Sequence, residues 1–228
     1  MEDRKERIQA MEFRAKAAAL ERKARSEARL EAEGVQFIGH LPAIEDVQGV
    51  RRRSKEEIAW RAMALLVVAV KGEGLEHSAV GEIVAEYGLE EHFTPKEAEF
   101  IQNPSPTDHD RIQFVWRYEA AWTLLWALGY VEGLGKPNGI CDVPRAVRFM
   151  RDQTPEEYIG NANLRPIEHI LDEADLIYRY HWVVVDARVN GKETPASLEP
   201  GVTMERHHAL NWLIGYMEQA WDDISTDT

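Results

Sequence analysis

The chain has 228 residues, 44% hydrophobic and 29% charged, which suits one domain with an appendage and a real apolar core. Its 27 basic and 40 acidic side chains give a formal net charge of −13, a surface that repels phosphate backbones and excludes nucleic acid as a general partner. The single cysteine, Cys141, excludes an intrachain disulfide and a cysteine-based metal cage; no apolar run is long enough to span a bilayer, and the charged start MEDRKERIQ is unlike a secretory signal, so a reducing cytoplasm is expected and no membrane contact.

Residues 2–33 contain no glycine or proline and are rich in Ala, Glu, Arg and Lys, which predicts one long helix ended by Gly34. We read 1–34 as a charged helical arm and 35–228 as an all-helical domain. Residues 1–33 carry nine basic and eight acidic side chains, a net of +1, which leaves −14 for the remainder. The arm's apolar stripe is thin: Phe13, Ala17, Leu20, Ala24 and Ala28. A helix this polar is marginal alone, so residues 1–33 are expected to reach outside the main domain and contact a second protomer or another protein.

The next helix starts share one device, a hydroxyl that caps followed three residues later by an acid. It occurs at Ser54 with Glu57, before IAWRAMALLVVAV. With proline at the first helical position it recurs at Thr94 with Glu97, Ser105 with Asp108, and Thr154 with Glu157. A further helix opens near Pro166 and ends at Asn190-Gly191. ETPASLEPG reads as a loop, and a last helix runs from about Thr203 to Ala220. No alternating strand is evident; the Val183–Val185 run continues a helical pattern. The expectation is an all-α, compact multi-helix domain of about seven to nine helices.

Charges inside apolar faces are the candidate chemistry. WRYEAAWTLLW, at 116–126, belongs to a helix over 112–128 whose apolar side chains point in nearly every direction. Arg117 and Glu119 lie about 200° apart on it and cannot pair with each other. Each needs a partner from another helix, the 167–189 and 203–220 segments being the natural donors. On 167–189, Glu168, Asp172, Asp175, Arg179 and Asp186 form one stripe that reads as a solvated face, with Asp175 and Arg179 spaced to pair. His181 lies opposite, near the centre of the apolar face, with Arg188 two turns later. On the last helix, Leu210, Leu213, Ile214, Met217 and Trp221 form the apolar face. Glu205, His208, Trp212 and Gln219 share a second one.

Glu205 and His208 make one Glu-x-x-His, a spacing used in di-iron bundles, but the second pair such a site needs is absent, so no metal and no cofactor is expected. Arg51-Arg52-Arg53 reads as a solvated lead-in to a capped helix. WDDISTDT lacks the glycine and closing glutamate of a calcium loop and reads as a docked acidic tail. Walker, Gly-x-Ser-x-Gly, His-Glu-x-x-His and dinucleotide fingerprints are absent.

WRYEAAWTLLWAL, then CDV at 141–143, DLIYRYHWVVVDAR at 175–188, ERHHALNWL at 205–213 and the terminal WDDISTDT together resemble the bacterial family catalogued as domain of unknown function 4272, over roughly residues 35–228. The resemblance implies a cytoplasmic helical protein with no assigned activity and supplies no catalytic residues. It places Arg117, Glu119, His181, Asp186, Arg188, Glu205 and His208 in the family pattern and leaves the arm outside it. Arg117, Glu119, His181, Arg188, Glu205 and His208 are the pocket candidates. The reading favoured is a binding or protein-interaction module with an internal polar cluster, holding a protein partner or small ligand. The alternative is a small-molecule, hydrolase-like enzyme in which Arg117 and Arg188 bind an anion. His181 or His208 would then be the general base, aided by Glu119 or Glu205.

Overall fold

Helix boundaries follow local capping chemistry. The computed structural model describes residues 2–44 and 50–228, and these form α1 (Glu2–Ala32), α2 (Lys55–Glu73), α3 (His77–Tyr87), α4 (Pro95–Gln102), α5 (Asp108–Val115), α6 (Arg117–Ala127), α7 (Val143–Arg151), α8 (Pro155–Asn161), α9 (Ile167–Val189) and α10 (Pro200–Leu213), with no strand among them. Of the arm expected over 1–33, Met1 and the side chains of residues 2–12 and 15 lie outside the described part. The capping boxes at Ser54, Thr94 and Thr154 form as expected, hydroxyl and glutamate each satisfying the other's backbone N–H. The fourth box is shifted. Thr107, not Ser105, caps α5, and its partner is Asp110, not Asp108. Two overlapping boxes compete there, and Ser105 instead gives its N–H to the Asn103 side chain at 2.9 Å.

Three further expectations are corrected. The stretch over 112–128 is two helices, α5 and α6, that meet at Trp116. The Trp116 ring lies against Gly201 at the start of α10, where a Cβ would sit 2.5 Å from it, so the junction is pinned to α10. Second, α10 stops at Leu213, seven residues early. Gly215 has φ +65°, and Met217 and Glu218 follow at φ 51° and 54°, a left-handed turn that breaks the helix and leaves Met217 exposed rather than on the apolar face. The chain then returns and buries Trp221. Third, Arg53 is no solvated lead-in. It stacks over the Trp212 ring at 4.7 Å and donates to the carbonyl oxygens of Trp212 and Gln219, 3.2 and 3.3 Å away.

The helices pack in sequence through space. α2, apolar on almost every side, is surrounded by α3, α4, α5, α6, α7 and α8; α6 also touches α10, α10 touches α9, and α9 carries α1. Lys71, buried on α2, donates to the carbonyl oxygens of Ile101 (2.6 Å) and Asn103 (2.7 Å). A cation thus closes the negative end of α4.

α1 docks by a face other than the expected stripe. Ala19, Arg22, Ser26 and Leu30 are buried against α9, whereas Phe13, Leu20, Ala24 and Ala28 face solvent. The docking overturns the solvated reading of the α9 stripe for Asp172, Asp175 and Arg179, while Glu168 stays exposed. Asp175 and Arg179 are fully buried and paired twice at 2.9 Å, with Arg22 and Arg25 on Asp172, Glu27 beside Arg179, and Glu33 accepting from the Tyr180 hydroxyl. Charges on α9 find their complement on α1, which explains how so polar a surface becomes an interface.

Candidate functional site

The six candidates do not share a pocket. Arg117 and Glu205 form one pair: Arg117 Nη1 lies 3.0 and 2.9 Å from the two carboxylate oxygens, joining α6 to α10. Gly201 sets this geometry, because Trp116 on its surface places Arg117 one residue along and Glu205 one helical turn along. Glu205 is 3% exposed in its side chain and Arg117 25%, so the acid is the more deeply committed partner. Burial raises the Glu205 pKa above the ordinary value, Arg117 pulls it back, and neighbouring Glu119 pushes it up again.

Glu119, on the other side of α6, accepts the backbone N–H of Cys141 and stands 3.7 Å from Arg206 Nε. Arg206 in turn donates to the carbonyl oxygens of Leu134 (2.9 Å) and Gly135 (3.1 Å). The pair closes the 128–142 loop over the core. Burial raises the Glu119 pKa despite these donors. Both acids thus find partners on other elements, and both cationic partners lie on the α6–α10 interface.

His181 on α9 faces His207 on α10, Nδ1 to Nδ1 at 2.8 Å. The Asn211 amide nitrogen lies 3.2 Å from His207 Nε2 and 2.8 Å from the Ser225 carbonyl oxygen, and the Thr226 backbone lies near the His181 ring. One arrangement of protons satisfies the set. Asn211 donates to His207 Nε2, and His207 Nδ1–H donates to His181 Nδ1, which leaves the His181 proton on Nε2. Both rings are therefore neutral. Burial, which disfavours the imidazolium, brings the pKa of His181 down to about 4 and of His207 to about 3; Arg188 adds to the first and His181 to the second. Arg188 itself is exposed. His208 points elsewhere, edge-on to Trp221 with centroids 4.7 Å apart. Burial and then Arg117 hold its pKa at about 4.

Beside the His207 ring lies a cleft of about 540 Å³, lined by Pro42–Ile44 and Val50, by Tyr178 and Asn211, by the Ile214–Glu218 turn and by Asp227 and Thr228. A second depression, of about 680 Å³, runs from Trp60 and Tyr87 to Arg151–Glu157. None of the six candidates lines either one. Sequence reasoning missed Arg206, His207 and Asn211. The signal was there in ERHHALN: four consecutive polar residues, 100° apart on a buried helix, cover every direction, so each requires a partner.

No group of three or more His, Cys, Asp or Glu among the described residues is placed to hold a metal ion, and the Glu205 carboxylate of the Glu-x-x-His is occupied by Arg117. None of the described helices is long and apolar enough to cross a membrane.

Fold and site together define an all-α domain whose core is cross-braced by buried ion pairs and a histidine couple. The chain belongs to the family described as Domain of unknown function (DUF4272), whose model matches residues 22–224. The match begins inside α1, so the arm from Arg22 onward lies within the family region, contrary to the resemblance starting near residue 35 expected above. No curated protein and no solved structure matches the chain.

Proposed function

We propose that the protein is a cytoplasmic, non-catalytic binding module that associates with a second copy of itself through the exposed stripe of α1. The observation that carries this reading is the two-faced arm. One face is consumed on α9, while Phe13, 75% exposed, and Leu20, 52% exposed, stand in solvent in line with Ala24 and Ala28. Spacings of seven, four and four residues keep such a stripe on one side of a helix, where it can pack along a like helix. The arm's net charge of +1 permits self-association that the rest of the chain, at −14, opposes.

The hydrolase-like reading has less support. Arg117 is committed to Glu205, and neither nitrogen of His207 nor the Nδ1 of His181 is free to take a proton from a substrate. The acidic surface gives nucleic acid no favourable approach.

The test uses the full chain carrying Phe13→Glu and Leu20→Glu, both at exposed positions, so the domain's fold is unaffected. Light scattering is expected to give about twice the chain mass for the wild type and the single-chain mass for the variant, with equal thermal unfolding. Equal particle masses at low and high salt would overturn self-association through α1.

A further inference from the structure

We infer that the cleft beside His207 binds a small organic cation with an apolar body, such as an alkyl- or aryl-ammonium compound. Its volume of about 540 Å³ lies in the range of ligand sites rather than of packing gaps. The walls divide by chemistry. Pro42, Ile44, Val50 and Ile214 supply apolar surface. Tyr178 and Tyr216 line the cleft with aromatic side chains, and they stand near enough that, beyond the effect of burial, Tyr216 perturbs the Tyr178 hydroxyl. Glu218 and Asp227 are the carboxyl side chains on the wall, and no lysine or arginine is among the described lining residues.

The floor sharpens the preference. His207 and Asn211 are buried, and the N–H groups of the Asn211 amide and the His207 ring are spent on each other, on His181 and on Ser225. The floor therefore offers an uncharged ring, 5.9 Å from the Tyr178 ring, and no donor that would hold an anion. A carboxylate or phosphate would meet two acids and no base. An ammonium group would meet two acids and two tyrosine side chains, in a protein of net charge −13 that concentrates cations near its surface.

The rim is built and held. Gly215 approaches the Arg51 carbonyl so closely that a Cβ would lie 2.8 Å from it, which fixes the turn that carries Tyr216, Met217 and Glu218. Met217 is 70% exposed on that rim, a large apolar side chain with nothing on its outer face. An apolar ligand body is its natural complement.

The proposal does not depend on the association of α1. The experiment is a titration of the full chain, followed by amide ¹H–¹⁵N shifts, with benzyltrimethylammonium as the probe. Benzyl alcohol and benzoate serve as the neutral and anionic comparators. The cation is expected to give saturable shifts at Tyr178, Asn211 and the 215–218 turn, and to bind at least about tenfold more tightly than either comparator. The double variant Glu218→Gln, Asp227→Asn is expected to weaken cation binding at least about fivefold while leaving benzyl alcohol unchanged. Both positions are exposed, so folding is not at stake. Three results would overturn the inference: no saturable shift at the cleft, benzoate binding as tightly as the cation, or undiminished cation affinity in the double variant.

Discussion

Arg117→Ala isolates the energetic role of the buried charges. The substitution removes both hydrogen bonds to Glu205 and leaves that carboxylate, 3% exposed, without a cation. An orphaned buried carboxylate escapes by taking up a proton. From the ordinary value of 4.5, protonation at pH 7 costs about 3.4 kcal/mol at about 1.36 kcal/mol per pH unit, and this caps the electrostatic loss. The lost packing of the arginine stem adds on the order of 1 kcal/mol. Water reaching Glu205 through the quarter-exposed Arg117 position takes some of this back, so the expected destabilisation at pH 7 is about 3–4 kcal/mol. At pH 5 the protonation cost falls to about 0.7 kcal/mol, so the destabilisation should drop to about 1–2 kcal/mol. Urea unfolding at the two pH values reads both numbers. A loss below about 1 kcal/mol at pH 7, or one that is the same at pH 5, would refute the reasoning. Replacing the pair together, Arg117→Met with Glu205→Leu, should recover most of the loss, since no charge is then left buried.

The histidines set a pH dependence. His181, His207 and His208 are held near 4, 3 and 4 against an ordinary 6.5, so between pH 6.5 and 4 the unfolded chain binds protons that the folded rings refuse. Stability is therefore fully present above about pH 6.5 and declines as pH falls, by up to about 1.4 kcal/mol per pH unit for each ring, with the raised carboxyls of Glu119 and Glu205 leaning the other way. A urea midpoint at pH 5 equal to or above that at pH 7 would contradict this. Leu30→Ala should cost about 2–5 kcal/mol, because Leu30 is fully buried where α1 meets α9; a loss under about 1 kcal/mol would mean that the arm is not part of the cooperative unit. Gly201→Ala should lower the melting temperature and disturb the Arg117–Glu205 pair, since the new methyl meets the Trp116 ring; unchanged melting with unchanged tryptophan fluorescence would refute the pinned junction.

Where local chemistry decides the structure, the sequence could be read. The boxes at Ser54, Thr94 and Thr154 need only four residues each, and the capped starts of α2, α4 and α8 came with them. The long α9 and its end at Asn190 were likewise legible from periodicity. What failed depended on partners distant in the chain. The α9 stripe has the periodicity of a solvated face, and only α1, some 150 positions earlier, makes Asp175 and Arg179 interior. The α1 stripe was chosen by hydrophobicity, whereas the docked face is chosen by Arg22 meeting Asp172. The end of α10 at Leu213 was not legible because the apolar periodicity continues past it, whereas the close approach of Gly215 to Arg51, which requires a glycine, joins positions far apart in the chain. The need of Arg117 and Glu119 for separate partners was legible from their angle on the helix. That Arg206 would serve one of them was not, because adjacent Glu205 and His208 drew attention as a pair.

The central claim is that the buried polar side chains brace the helices rather than perform chemistry, and the His181–His207 couple tests it most directly. Long-range ¹H–¹⁵N correlation of the imidazole nitrogens, followed from pH 7.5 to pH 4.5, reports tautomer and charge ring by ring. The account predicts neutral rings throughout most of that range, with the proton on Nδ1 of His207 and on Nε2 of His181, and protonation setting in only as pH approaches about 4. A reversible titration of either ring near pH 6.5–7, with the fold intact, would show an imidazole free to exchange its proton with a substrate and would contradict the account.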